Sequence, residues 1–143
     1  MRRNKLRLYL HLVWATWDRL PLITPEIERQ LYRCIENEAK DKGCKVLALN
    51  GIADHVHLVV SIPTTITIAE LVKQVKGVSS RFVNEVLAPP TRFKWQGCYG
   101  AFTVSRWDVD KIVQYVKRQK EHHAANELWA DWEETFEEVD GSD

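Results

Sequence analysis

The sequence predicts an α+β domain: a ferredoxin-like, split βαβ antiparallel sheet with helices on one face and an added C-terminal helix that carries Tyr115. Three observations lead there. Apolar residues alternate with a period of two in some stretches and fall three or four apart in others. The stretches follow one another in the order β-α-β-β-α-β-α. Only Ala53-Asp54 separates the second strand from the third, which makes that pair a hairpin.

Leu6–Thr16 opens the chain as a strand, with Leu8, Leu10, Leu12 and Trp14 on one face and Tyr9, His11 and Val13 on the other. After Pro21, Thr24 caps a helix with Pro25 at its first position and Glu26 and Glu28 in its first turn. Its stripe is Ile27, Leu31, Cys34, Ile35 and Ala39, and Gly43 ends it just past Asp41. Lys45–Ile52 and His55–Ile62 form the hairpin, stopped by Pro63. Thr67 caps a second helix from Ile68 to Leu87, with Leu71, Val75, Val78, Phe82 and Val86 facing inward, broken by Ala88-Pro89-Pro90. Tyr99–Ser105 is the fourth strand. Asp108 caps a last helix from Val109 to His123. The first two helices are expected to cover one sheet face and leave the other open.

A chain of 143 residues is one ordinary domain, and its 45% hydrophobic and 28% charged content exclude a disordered polymer. No apolar run reaches the roughly 20 residues that span a bilayer. Arg7 and His11 interrupt the apolar stretch near the N-terminus, and no small-residue cleavage site follows, so it reads as a strand rather than a secretion signal. Cys34, Cys44 and Cys98 are odd in number and form no CxxC pair. These features point to a cytoplasmic protein with reduced thiols.

Net charge is zero, yet it is unevenly spread. Residues 124–143 hold eight of the 20 acids and no Lys or Arg, which leaves 12 acids against 20 bases, about +8, on residues 1–123. The chain therefore divides into a basic body, 1–123, and an acidic C-terminal extension, 124–143. A basic body attracts phosphates, and an acidic tail repels or competes with them. Deleting residues 124–143 tests the competition: unchanged DNA affinity across salt concentrations removes it.

The third strand carries the most chemistry. Val56, Leu58, Val60 and Ile62 point to the core, so His55, His57, Val59 and Ser61 lie on the opposite face. Two imidazoles about 7 Å apart along a stiff strand can share a divalent metal, given a third ligand. On spacing alone, two half-exposed histidines explain HxH better, because the pattern is common by chance. On the last helix Tyr115 and Gln119 stand at i and i+4, on one face, while Ile112, Val113 and Val116 can bury the helix. A tyrosine supplies a nucleophilic oxygen and an amide a neutral oxygen ligand. Taken alone, a surface tyrosine on a polar helical face fits better.

Together, Asp54-His55-Val56-His57-Leu58 and Tyr115-Val116-Lys117-Arg118-Gln119, following Trp95-Gln96-Gly97-Cys98-Tyr99, resemble the single-tyrosine transposases of the HUH superfamily: insertion-sequence transposases and their REP-associated relatives. The likeness runs from Leu6 to His123. It implies that His55, His57 and Gln119 hold a divalent cation, Mg2+ or Mn2+. It implies that Tyr115 attacks a scissile phosphate in single-stranded DNA, becoming joined to the 5′ end and releasing a 3′ hydroxyl. It also implies a homodimer, often with the tyrosine helix serving the other subunit's metal, and hairpin DNA ends as partner. A hard Mg2+ prefers oxygen ligands, so two histidines leave Mn2+ or Zn2+ open as well.

Basic residues that are candidates for phosphate contact are Arg2, Arg3, Lys5, Arg7, Lys73, Lys76, Arg81, Lys117 and Arg118. Trp95 is either a base-stacking or a core tryptophan. His122 and His123 close the last helix, near enough to touch DNA or simply frayed. Tyr9 shares the histidine face, Tyr32 falls on the first helix and the wrong face, and Tyr99 starts a strand. Three rival readings remain: a nucleic-acid-binding module without catalysis, a metal-dependent hydrolase using water, and a domesticated relative that serves its host. No Gly-Phe-aromatic run of the RNA-recognition type is present, which weighs against the first.

Overall fold

The structure is a computed structural model that describes residues 4–124, without the side chains of the last three. Arg2, Arg3, the side chains of His122 and His123, and nearly all of the acidic extension lie outside the described residues.

Four antiparallel strands stand in the order β2-β3-β1-β4, the arrangement of the split βαβ fold. They are β1 (Tyr9–Ala15), β2 (Lys45–Ile52), β3 (His55–Ser61) and β4 (Gly100–Val104). Pairing sets Val13 opposite His57 and Ala15 opposite His55, while Val59 faces His11. Because paired residues share a face, this register gathers all three histidines on one side of the two central strands. The opposite side is apolar throughout: Leu10, Leu12, Trp14, Val56, Leu58 and Val60 are buried there. The hairpin needs Gly51, whose missing Cβ would overlap the His55 carbonyl oxygen and fall 2.8 Å from Val56 Cα.

The apolar side is covered by α1 (Pro25–Asp41) and α2 (Ile68–Phe82). Ile27, Leu31, Ile35 and Ala39 of α1 are buried at the predicted spacing, while Cys34 is half-buried. Gly43, at φ +88°, ends the helix turn in a conformation that other residues resist. A capping box starts α2: Thr67 Oγ1 accepts from the Glu70 amide at 3.1 Å, and the Thr67 amide donates to Glu70 Oε1 at 3.2 Å.

Four expectations need correction. The second helix's buried stripe is Leu71, Val72, Val75, Ser79 and Val83; Val78 and Phe82 are half-buried, and Val86 is 65% exposed. Ser79 faces inward because its hydroxyl accepts the buried indole N–H of Trp95 at 3.0 Å. A π-turn at Val83–Leu87 then rotates the last apolar positions outward. The first strand starts three residues later than expected, leaving Leu6 and Leu8 exposed. The last helix is two pieces, α3 (Val109–Lys117) and α4 (Gln119–Ala124), with Arg118 between them at φ −101°, ψ 20°.

The second sheet face is not open. Ile112, Val113, Tyr115 and Val116 of α3 pack on Ala48 of β2 and Val59 of β3. Among the described residues, no helix is long and apolar enough to cross a membrane, and Cys34 and Cys44 are free thiols.

Candidate active site

Alternation along β1 and β3, fixed in register, puts His11, His55 and His57 under α3. All three are buried, as are Tyr115 and Gln119. The His55 and His57 rings lie with centroids 5.0 Å apart at 67°, and the Tyr115 ring stands edge-on to His57 at 6.2 Å and 81°. The i, i+4 spacing of Tyr115 and Gln119 survives the kink at Arg118, so both remain on the inner side of the helix pair. Structure thus brings His55, His57 and Tyr115 together and buries Gln119 one turn beyond the tyrosine.

Each histidine of the β3 pair is held through Nδ1. His55 Nδ1 lies 2.8 Å from Asp54 Oδ1, and His57 Nδ1 lies 2.8 Å from His11 Nε2. A carboxylate only accepts, so His55 donates from Nδ1, and in the neutral form of the ring the lone pair lies on Nε2. Arg19 Nη2 also approaches His55 Nδ1, at 3.4 Å. The nearer carboxylate prevails, because one nitrogen cannot both donate to Asp54 and accept from Arg19. Half-burial works to raise the Asp54 pKa. The hydrogen bond from His55 and the Arg19 guanidinium, 3.6 Å from Asp54 Oδ2, outweigh it and hold the carboxyl below its ordinary value.

The helix pair that carries Tyr115 is tied to the edge strand by Asn50. Its Nδ2 donates to the Lys117 carbonyl, one of the orphans at the end of α3, at 3.0 Å. Its Oδ1 accepts from Lys120 Nζ at 2.8 Å. Lys120 also reaches the Gly51 carbonyl at 3.1 Å and Glu28 of α1 at 3.1 Å, linking the two helical layers around the β2 edge. These four residues (His11, Asp54, Asn50 and Lys120) were not singled out for a role from the sequence. Alternation already placed His11 on the histidine face, but its contact with His57 depends on strand register.

Imidazoles and an amide side chain are nitrogen and oxygen donors of the kind that suits a borderline or hard divalent cation. Among the described residues, no three His, Cys, Asp or Glu side chains group to hold a metal.

The basic candidates separate by face. Lys117 and Arg118 are exposed at the α3–α4 junction, on the histidine side of the sheet, Arg118 pairing with Glu121 at 2.9 Å. Lys73 and Arg81 are exposed on α2, across the sheet from the histidines. Lys76 donates to the carbonyls of Gln96 and Cys98 at 2.5 and 3.3 Å, bracing the loop before β4. Lys5 and Arg7 are exposed ahead of β1. Trp95 is a core residue, edge-on to Phe93 at 4.7 Å. Tyr32 is ruled against as a nucleophile: burial and then Glu28 push its hydroxyl far above the ordinary tyrosine range.

The family described as "Transposase IS200 like" matches residues 4–119, most of the chain. The chain belongs to that family. It is similar to the ISDra2 transposase TnpA of Deinococcus radiodurans, 29% identical over 119 residues, covering 79% of this chain and 84% of the relative. It is also similar to the transposase for insertion sequence element IS200 of Salmonella typhimurium, 26% identical over 123 residues, 82% of this chain and 80% of the other. Among solved structures, a candidate transposase from Deinococcus radiodurans superposes with a TM-score of 0.65 at 28% identity, covering 83% of this chain and 96% of its own. A REP-associated tyrosine transposase, solved bound to a REP hairpin, superposes at 0.64 over 86% of this chain and 73% of its own. At 12% identity the second likeness concerns the fold. This transposase therefore has His55, His57, Tyr115 and Gln119, all buried, within the stretch that matches its family.

Proposed function

We propose that this transposase cleaves and rejoins single-stranded DNA through a 5′-phosphotyrosine intermediate formed on Tyr115, at a centre where His55, His57 and Gln119 hold Mg2+ or Mn2+. The observation that carries the reading is the packing of Tyr115 against His57 of its own chain. His55, His57 and Gln119 would hold the cation, and the chemistry it would supply is neutralisation of charge on the scissile phosphate. The Tyr115 oxygen attacks phosphorus as its proton leaves. A tyrosyl–phosphate bond forms, the bond from phosphorus to the 3′ oxygen breaks, and that oxygen leaves as a 3′ hydroxyl. The ester keeps the bond energy, so a 3′ hydroxyl can reverse the step and join new ends. Hairpin ends are the proposed substrate form, with Lys117 and Arg118 nearest the tyrosine for phosphate contact. Arg2, Arg3, Lys5, Arg7, Lys73, Lys76 and Arg81 would contribute attraction rather than chemistry. Action as a homodimer and in the cytoplasm belongs to the same proposal.

The test uses labelled single-stranded hairpins with Mg2+ or Mn2+ and detection of a denaturation-resistant protein–DNA adduct. An adduct that needs the metal, and is lost in both Tyr115→Phe and His57→Ala, is the expected result. Cleavage without an adduct, surviving Tyr115→Phe, would make the protein a hydrolase. Binding without cleavage would make it a binding module or an inactivated relative.

A further inference from the structure

We propose that His11 is a positioning residue which accepts a hydrogen bond from His57 Nδ1 and so fixes His57 in the tautomer that offers Nε2 as a ligand. This rests on the reading of the β3 histidines as metal ligands. His11 projects from β1 on the diagonal from His57: its direct partner is Val59, while Val13 stands opposite His57. It is fully buried. Its ring is nearly coplanar with that of His57, at 18°, with centroids 5.0 Å apart and Nε2 only 2.8 Å from His57 Nδ1. Those values describe two rings meeting edge to edge, nitrogen to nitrogen, rather than lying face to face. Phe102 flanks His11 on the β4 side at 6.0 Å. An aliphatic side chain would fill that buried place without the desolvation cost of an imidazole, so the hydrogen bond is the property that only the imidazole brings.

A neutral imidazole carries one ring proton. Across the His11–His57 contact, either His11 Nε2 donates or His57 Nδ1 donates. In the first case the proton of neutral His57 resides on Nε2, and that nitrogen cannot bind a cation. In the second, Nε2 keeps its lone pair. His55 is held in the same tautomer by the Asp54 carboxylate. The two neighbouring ligands thus have separate outer partners: an anion for His55, a neutral ring for His57. A neutral acceptor orients His57 without adding negative charge where a DNA phosphate has to approach.

The test uses the full chain labelled with 15N and long-range 1H–15N spectra of its imidazoles, without metal. Wild-type His57 is expected to be protonated on Nδ1, and His11 to be unprotonated on Nε2. His11→Phe should release His57 into a mixture of tautomers and weaken Mn2+ binding, followed by the spin resonance of free Mn2+, roughly 10- to 100-fold. His11→Gln, whose side-chain oxygen can take the acceptor's place, should restore the tautomer and bring affinity to within a few-fold of wild type. A wild-type His57 protonated on Nε2 overturns the proposal, as does wild-type Mn2+ affinity in a folded His11→Phe, or His11→Gln behaving like His11→Phe. If His11→Phe does not fold, the wild-type spectrum and the glutamine variant decide. The expected tautomers in a wild-type protein that binds no Mn2+ would overturn the metal centre instead and leave the hydrogen-bond assignment standing.

Discussion

The two faces of the sheet are equally buried and built on opposite principles. On one, Leu12, Leu58, Val56 and Trp14 meet the stripes of α1 and α2, and packing is apolar almost throughout. On the other, α3 closes over His11, His55 and His57, whose place is set by specific partners. The first face is held by area and shape, at roughly 1.5–3 kcal/mol for each large side chain removed from water. The second gives up some of that gain to keep polar groups dry and oriented. The α3 side is therefore where stability and activity should come apart, whereas the α1–α2 side should couple stability to everything.

The largest effect should come from the polar face. Tyr115→Phe should abolish the covalent adduct, a loss of roughly a thousandfold or more in strand cleavage, because no other group can form the ester. Its melting temperature should stay near wild type, since the ring and its packing remain; a large drop would mean that this face is structural after all. Next, Leu58→Ala on the apolar face should cost about 2–5 kcal/mol in urea unfolding, because it opens a cavity in a fully packed layer. A smaller cost would show that α1 and α2 can settle into the space.

Ser79→Ala is the polar exception on the apolar face. It leaves the Trp95 N–H without its acceptor and should cost about 1–3 kcal/mol, also read by unfolding. Ser79→Thr, which keeps the hydroxyl, should lose less. Asn50→Ala removes the bond to the Lys117 carbonyl and should cost only about 0.5–1.5 kcal/mol. Adduct formation should fall more than stability, because the junction that carries Gln119 loses its tie to β2. Equal falls in both would break the separation between the faces.

The smallest effect concerns the α2 cap. The hydrogen bonds from Thr67, with a further contribution from Lys42, hold Glu70 below its ordinary pKa, against a smaller opposing effect of desolvation. Its folded value is the lower one, so its stabilisation is fully present above the ordinary glutamate pKa and is lost as pH falls through the folded value. Glu70→Gln should flatten the acid limb of the stability curve, measured by melting between neutral pH and pH values near 3, and leave DNA cleavage unchanged.

Much of this protein was written in local pattern. The span of α1 and the bounds of β2 follow from Pro25, Gly43 and the hairpin link, because helix starts and turns are decided within a few residues, although the Thr24 side chain makes no cap hydrogen bond. The pairing of His55-Val56-His57 with Tyr115 and Gln119 was legible as two motifs, and alternation put both histidines on one face. The acidic extension was visible as composition alone. Tertiary structure decided what depends on distant partners. Ser79 turns inward only because Trp95, 16 residues on, brings a buried N–H to it. The last helix breaks at Arg118, where Asn50, from a strand 67 residues earlier, holds the Lys117 carbonyl. The face expected to be open is closed by α3, because its own apolar positions, Ile112, Val113 and Val116, need a surface to bury against. His11 meets His57 through strand register, a property that no single strand possesses. Periodicity is a local quantity and the sequence carries it whole; the satisfaction of a buried polar atom is a pairwise one, and it exists only once the chain has folded.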